Sequence, residues 1–178
     1  FRIEEYIHNL PTVTVNGKTY KFINGIGFGI DGYCCEVGDK VRAQNKKANY
    51  TAIAIKGLLF HFKPVTATVI VDGVERVYEK TWIAPAMFGG HYGGGMIPTP
   101  SQSRNGASSL STCIFHGSGR LKTLMIFPGI FKGEHIKSKK YVEVLSGKEI
   151  TVKFDRPTAL QIDGETVLNA SEYTARIQ

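Results

Sequence analysis

Ala159-Leu-Gln-Ile-Asp-Gly-Glu-Thr-Val167 is an apolar run that halts at Asp163-Gly164-Glu165 and then resumes. Asp-Gly is a preferred two-residue loop between antiparallel strands, so the stretch predicts a hairpin. It also sets two carboxylates one residue apart, and on extended backbone both would point to the same face. A plain turn with two solvated acids and a pair of acids held out for chemistry both fit these residues.

Around this stretch the pattern is that of short strands. Residues 141–145, 150–154, 159–162, 165–168 and 173–177 read as strands, with turns expected at Ser146-Gly147 and Asp155-Arg-Pro157. Toward the other end, 12–15 and 18–24 alternate about Asn16-Gly17, a second strong hairpin signal. Strands are also expected at 65–71 and 74–78 about Asp72-Gly73, at 81–87 and at 110–115. Helices are expected over about 46–63, stopped by Pro64, and over about 119–131, weakened by Pro128. The order predicts a β-rich α+β fold, an antiparallel β-sandwich-like domain with two or three helices. It excludes a doubly wound parallel sheet, because β and α segments do not alternate.

With 178 residues the chain suits one domain, or one large and one vestigial. It opens on Phe1, from which we expect a piece of a longer protein. No apolar run approaches a membrane span and no signal peptide is visible. Cys34, Cys35 and Cys113 are too few and too badly spaced for a disulfide framework or a metal site; core or half-buried thiols in a reducing cytosol are expected. The net charge of +7 favours an anionic partner. No basic run is interleaved with aromatics, so nucleic acid is not expected.

Several chemistries are absent from the pattern. Gly25-Ile-Gly27-Phe-Gly29 superficially offers a dinucleotide fingerprint, but Asp31 and Gly32 interrupt the expected helix start. A backbone path needing close packing or positive φ is the better reading. There is no P-loop and no nucleophile elbow. The histidines at 8, 61, 91, 116 and 135 show no metal-ligand spacing. Five glycines surround His91 and Tyr92 between positions 89 and 95: a flexible surface loop, or backbone that must pass close to a ligand.

Taken in order, five pieces resemble the C-terminal domain of the diacylglycerol kinase-like lipid kinases, a family that includes bacterial lipid kinases and sphingosine kinases. They are Phe22-Ile-Asn-Gly-Ile-Gly-Phe-Gly-Ile-Asp31, the helix and strand around 50–73, Tyr92-Gly-Gly-Gly-Met96 with Pro100, Lys132-Gly-Glu-His135, and Ile162-Asp-Gly-Glu165. The resemblance covers about Tyr20 to the end. It implies a β-sandwich-like domain facing a cleft, and an N-terminal domain, outside this chain, whose Gly-Gly-Asp-Gly-Thr motif handles ATP. Under it Asp163 is the general base on a lipid hydroxyl, Glu165 places that base or magnesium, and Gly164 lets backbone approach the γ-phosphate. Gly93, Gly94, Gly95 and His91 would line the nucleotide and substrate cleft. ATP and magnesium are the implied cofactors, served mainly by the other domain, so the isolated piece should be inactive.

The implied setting is cytoplasmic and peripheral to a membrane, with a lipid substrate; a homodimer is compatible with it. One departure stands out. Where many bacterial members carry acids for a structural magnesium, this loop reads Pro100-Ser-Gln-Ser-Arg-Asn-Gly106, with Arg104 and Asn105 in place of acids. That metal site is expected to be lost. Two other readings remain: a phosphotransferase like the NAD kinases, and a non-catalytic lipid- or partner-binding domain.

Overall fold

The structure is a computed structural model that describes residues 9–105 and 107–177. Three two-residue hairpins frame it. Asn16-Gly17 joins β1 (Thr12–Val15) to β2 (Lys18–Lys21), Asp72-Gly73 joins β4 (Val65–Val71) to β5 (Val74–Thr81), and Asp163-Gly164 joins β9 (Glu149–Ile162) to β10 (Glu165–Arg176). In all three both loop residues have positive φ, the type I′ geometry that matches strand twist. The remaining strands are β3 (Gly25–Phe28), β6 (Ala86–Met87), β7 (Leu110–Phe115) and β8 (Val142–Gly147).

All pairings among these ten strands are antiparallel, in the order β2-β1-β10-β9-β3-β6-β7-β8, with β4 and β5 branching from β9. The fold is the antiparallel, β-rich α+β domain that the sequence predicts. Its pivot is β9. Residues 150–154 pair with β4, while 160–162 pair with β3, and β10 runs along both halves. The turn expected at 155–157 is instead a corner within one continuous strand. Pro157 has no partner in the registers with β10, β4 or β3, as suits proline within a strand. Likewise the strands expected at 165–168 and 173–177 are one β10, which ends at Arg176 and is kinked by register shifts between Val167 and Glu172.

The space between the two strand layers is filled by Val13, Phe22, Val69, Leu160 and Tyr173, all within 1% of full burial. Phe28 stacks on Phe154 with centroids 3.8 Å apart and planes 10° from parallel. Each such side chain contributes roughly 1.5–3 kcal/mol by leaving water.

Helices cover the other side. α1 (Ile30–Ala43) was not expected from the sequence. It runs through Asp31 and Gly32, the residues that argue against a helix start in the sequence. Its N-cap Gly29 has φ 109°, and a Cβ there would lie 2.3 Å from Trp82 O. The positive-φ reading of this segment therefore holds, although a helix follows at once. A dinucleotide fold is still excluded, because β3 pairs antiparallel with β6 and β9.

The helix expected over 46–63 is shorter. α2 (Tyr50–Lys56) is capped by Asn49, whose side chain accepts from Ala52 N at 3.1 Å. A π turn, Gly57–His61, follows it. The second expected helix is α3 (Arg120–Ile126), which tightens into a 3₁₀ turn, Phe127–Lys132, at Pro128. The strand expected over 81–87 is broken: β5 ends at Thr81, Ile83 makes two isolated bridges, to Gly29 and to Phe115, and β6 holds two residues. No helix among the described residues is long and apolar enough to cross a membrane.

Candidate functional site

The Asp163-Gly164 turn is anchored to the start of β3. The Asp163 carboxylate accepts three backbone bonds, from Ile23 N to Oδ2 (2.6 Å) and from Asn24 N and Gly25 N to Oδ1 (2.9 Å each). Asp163 N donates to Gly25 O at 3.0 Å. A carboxylate offers about four acceptor positions, so roughly one remains toward solvent. Asp163 and Glu165 do not share an extended strand as the sequence suggested. Asp163 lies in the turn (φ 48°), and Glu165 opens β10 paired with Ile162, its side chain exposed and without an ion pair or hydrogen bond among the described residues.

Beneath the turn lies an acid that the sequence reading did not select as a site residue. Asp31, in the first turn of α1, is 6% exposed. Gln161 bridges it to the turn: Nε2 donates to Asp31 Oδ2 at 3.0 Å, and Oε1 accepts from Gly164 N at 2.6 Å. Burial pushes the Asp31 carboxyl up to about 6, opposed by the Gln161 bond. Gly27 makes its room, since a Cβ there would lie 1.4 Å from Asp31 Oδ2. The signal was present in Gly27-Phe-Gly-Ile-Asp31, where the glycine spacing leaves a hollow that the acid fills.

Asp31 and Gly164 both line a cavity of about 410 Å³, within the usual range for small-molecule sites. Its walls are mostly apolar, with Ile55, Leu58, Ile83, Leu124 and Phe131 among them. Cys34 and Cys35 add thiols that stay protonated at neutral pH, because burial raises both, Cys35 to about 12. The expected buried and half-buried thiols are thus seen, with Cys113 wholly buried.

Gly93, Gly94 and Gly95 form a tight loop closed by Tyr92 and Met96, all three with positive φ. Gly93 and Gly94 line the cavity with Gly164. Gly95 and His91 do not. His91 is exposed, and its carbonyl accepts from the Asn24 side chain.

The same Asn24 accepts from Arg104 Nη2 at 3.2 Å. The Asn105 backbone bonds to Ser103 Oγ, and Gly106 lies outside the described residues, as does His8. A guanidinium bonded to a neutral amide is not a donor set for a divalent cation. Among the described residues no three His, Cys, Asp or Glu groups stand together for a metal. Lys132-Gly-Glu-His135 supports this loop from behind. His135 Nε2 bonds Pro98 O at 2.9 Å, and Gly133 avoids Pro100.

This antiparallel sandwich with its helical layer has counterparts among solved structures. A diacylglycerol kinase from Bacillus anthracis str. Sterne superimposes with TM-score 0.57 at 13% identity, over 98% of this chain and 53% of that one. Another chain from the same strain gives 0.65 at 15% identity, over 98% and 55%. These likenesses define the fold. The family follows from the sequence profile of the YegS C-terminal NAD kinase beta sandwich-like domain, which matches residues 24–176; the chain belongs to that family. Among curated proteins it is 26% identical over 109 residues to the diacylglycerol kinases of Mycobacterium tuberculosis strains CDC 1551 / Oshkosh and ATCC 25618 / H37Rv. That match covers 61% of this chain and 35% of each relative. The chain spans about half the length of the solved structures it resembles.

Proposed function

We propose that this is the lipid-acceptor domain of an ATP-dependent lipid kinase acting on a hydroxyl of a diacylglycerol-like lipid. One observation carries the reading: an apolar cavity of about 410 Å³ is lined both by the buried acid Asp31 and by Gly164 of the Asp163-Gly164-Glu165 turn, which Gln161 joins. Acyl chains suit the walls, and a hydroxyl at the head suits Asp31. Above pH 6 Asp31 is a carboxylate that accepts the hydroxyl's hydrogen bond and fixes its direction. The names of the curated relatives agree with such an acceptor.

Phosphoryl transfer depends mainly on aligning the nucleophile and compensating charge. Here alignment comes from Asp31, Gln161 and the Gly93-Gly94 loop. Asp163 takes the hydroxyl proton through the acceptor position its backbone partners leave open, and Glu165 is free to orient that proton or a magnesium ion. Magnesium-ATP supplies the phosphoryl group and is handled by a nucleotide domain in the full-length protein. The test uses that full-length protein with labelled ATP, magnesium and mixed micelles of diacylglycerol, monoacylglycerol, sphingosine or undecaprenol. Label enters a lipid and falls by about 10²-fold or more in Asp163→Asn. Label in NAD, or in nothing, overturns the reading.

A further inference from the structure

We infer that the protein sits on an anionic bilayer through an apolar patch at the mouth of the cavity, formed by α2, the π turn, α3 and the 3₁₀ turn; this rests on the lipid-acceptor reading. Large apolar side chains stand in water here. Phe60 is 71% exposed, Leu121 74% and Met125 76%, with Ile55 and Phe131 above 40%. Ile55 and Phe131 also line the cavity, so the patch and the cavity wall are one continuous apolar surface. A lipid leaving a bilayer under this patch would enter without crossing water.

The patch is held rigidly. The Leu58 carbonyl in the π turn accepts from Arg120 Nη1 at 2.7 Å, and the Arg120 guanidinium lies over the Trp82 ring at 5.7 Å. α3 is thereby tied to the π turn, and Phe60 is presented outward. π turns recur at functional sites for this kind of purpose.

Charge selects the occupant. Segment 40–71 carries six Lys or Arg and no acid, and segment 80–133 carries five and no acid. The rest of the chain holds all 15 acids against eleven cations. The patch is built wholly from the two acid-free segments. Lys56, Lys63, Lys122 and Lys132 are exposed on them, and none forms an ion pair among the described residues. Apolar side chains with lysines that reach out beside them match the acyl and phosphate layers of an anionic membrane. The exposed Val74 and Val77 of β5 stand beside Glu75 and Glu79 and offer no such match.

The test is co-sedimentation of this chain with vesicles of phosphatidylcholine alone or of equimolar phosphatidylcholine and phosphatidylglycerol. Binding to the anionic vesicles is at least about tenfold tighter than to the neutral ones. The double variant Leu121→Glu, Met125→Glu loses about tenfold or more. Lys56→Gln and Lys122→Gln lose about fivefold each. Val77→Glu stays within about twofold of the unaltered chain. Circular dichroism melts confirm that these exposed substitutions leave the fold intact.

No preference for anionic vesicles, or equal loss in Val77→Glu, overturns the inference. A short-chain diacylglycerol titrated against the fluorescence of Trp82, the single tryptophan, reads the cavity separately. A fluorescence response without patch-dependent vesicle binding sinks the patch and spares the lipid-acceptor reading. The opposite pair of results supports the patch and sinks that reading.

Discussion

The sandwich and the helical layer share β3, β6 and β7 but finish their cores differently. Between the strand layers the large side chains form one buried cluster that includes the Phe28–Phe154 stack. On the helical side Ile30, Leu58 and Phe127 are equally apolar, yet they stop around an open volume, and Phe60, Leu121 and Met125 point away from it. A domain that needed only stability would have closed this second core. The contrast separates residues that hold the fold from residues that keep a space.

Equal truncations on the two sides test this most strongly. Leu160→Ala, in the sandwich, should cost about 4 kcal/mol, and Leu58→Ala, at the cavity wall, about 2, because Leu58 already lacks neighbours on one side. Urea denaturation measures both, and equal losses would erase the distinction.

Asp31 comes next. Its folded value of about 6 lies above the unfolded 3.8, so the folded state binds more protons between these values and stability falls as pH rises through the window. The full penalty, about 3 kcal/mol, stands above pH 6. Asp31→Asn should therefore be the more stable protein near about pH 8 and nearly equal to the parent near about pH 4. It should also lose lipid phosphorylation in the full-length protein. A variant stabilised equally at both pH values would show that desolvation of the charge is not the cause.

Gly164→Ala should cost about 1–2 kcal/mol through backbone conformation alone, since φ is +96° and nothing lies within 4 Å of an added Cβ. Thermal melts at one pH suffice. Smallest of all, Ala54→Phe should change stability by less than about 1 kcal/mol, because it fills the cavity. Ala67→Phe, in the closed core, should lose about 1–3 kcal/mol or more. In Ala54→Phe the short-chain diacylglycerol response of Trp82 should vanish.

Local chemistry made part of this legible. Asn16-Gly17, Asp72-Gly73 and Asp163-Gly164 announce their turns with two residues each, and all three form. Tertiary contact hid the rest. In α1, Gly32 and Gly38 blur the helical pattern, yet they are there because a Cβ would strike Ala159 O in one case and the Tyr50 ring in the other. The continuity of β9 through Pro157 depends on which strands flank each half, which no local window contains. Asp31 could be quoted as part of a motif, but its burial, its bridge through Gln161 and the cavity beside it arise only when positions 130 residues apart meet.

The bonds from Asp163 to residues 23–25 span up to 140 positions of chain. During synthesis at about 5–20 residues per second, the early strands leave the ribosome many seconds before their partner exists. Until then residues 23–25 lack their acceptor, and the floor of the cavity is unfinished. A chain arrested before position 163 can assemble its earlier hairpins but not the candidate site, which is completed only when the Asp163-Gly164 hairpin has been made.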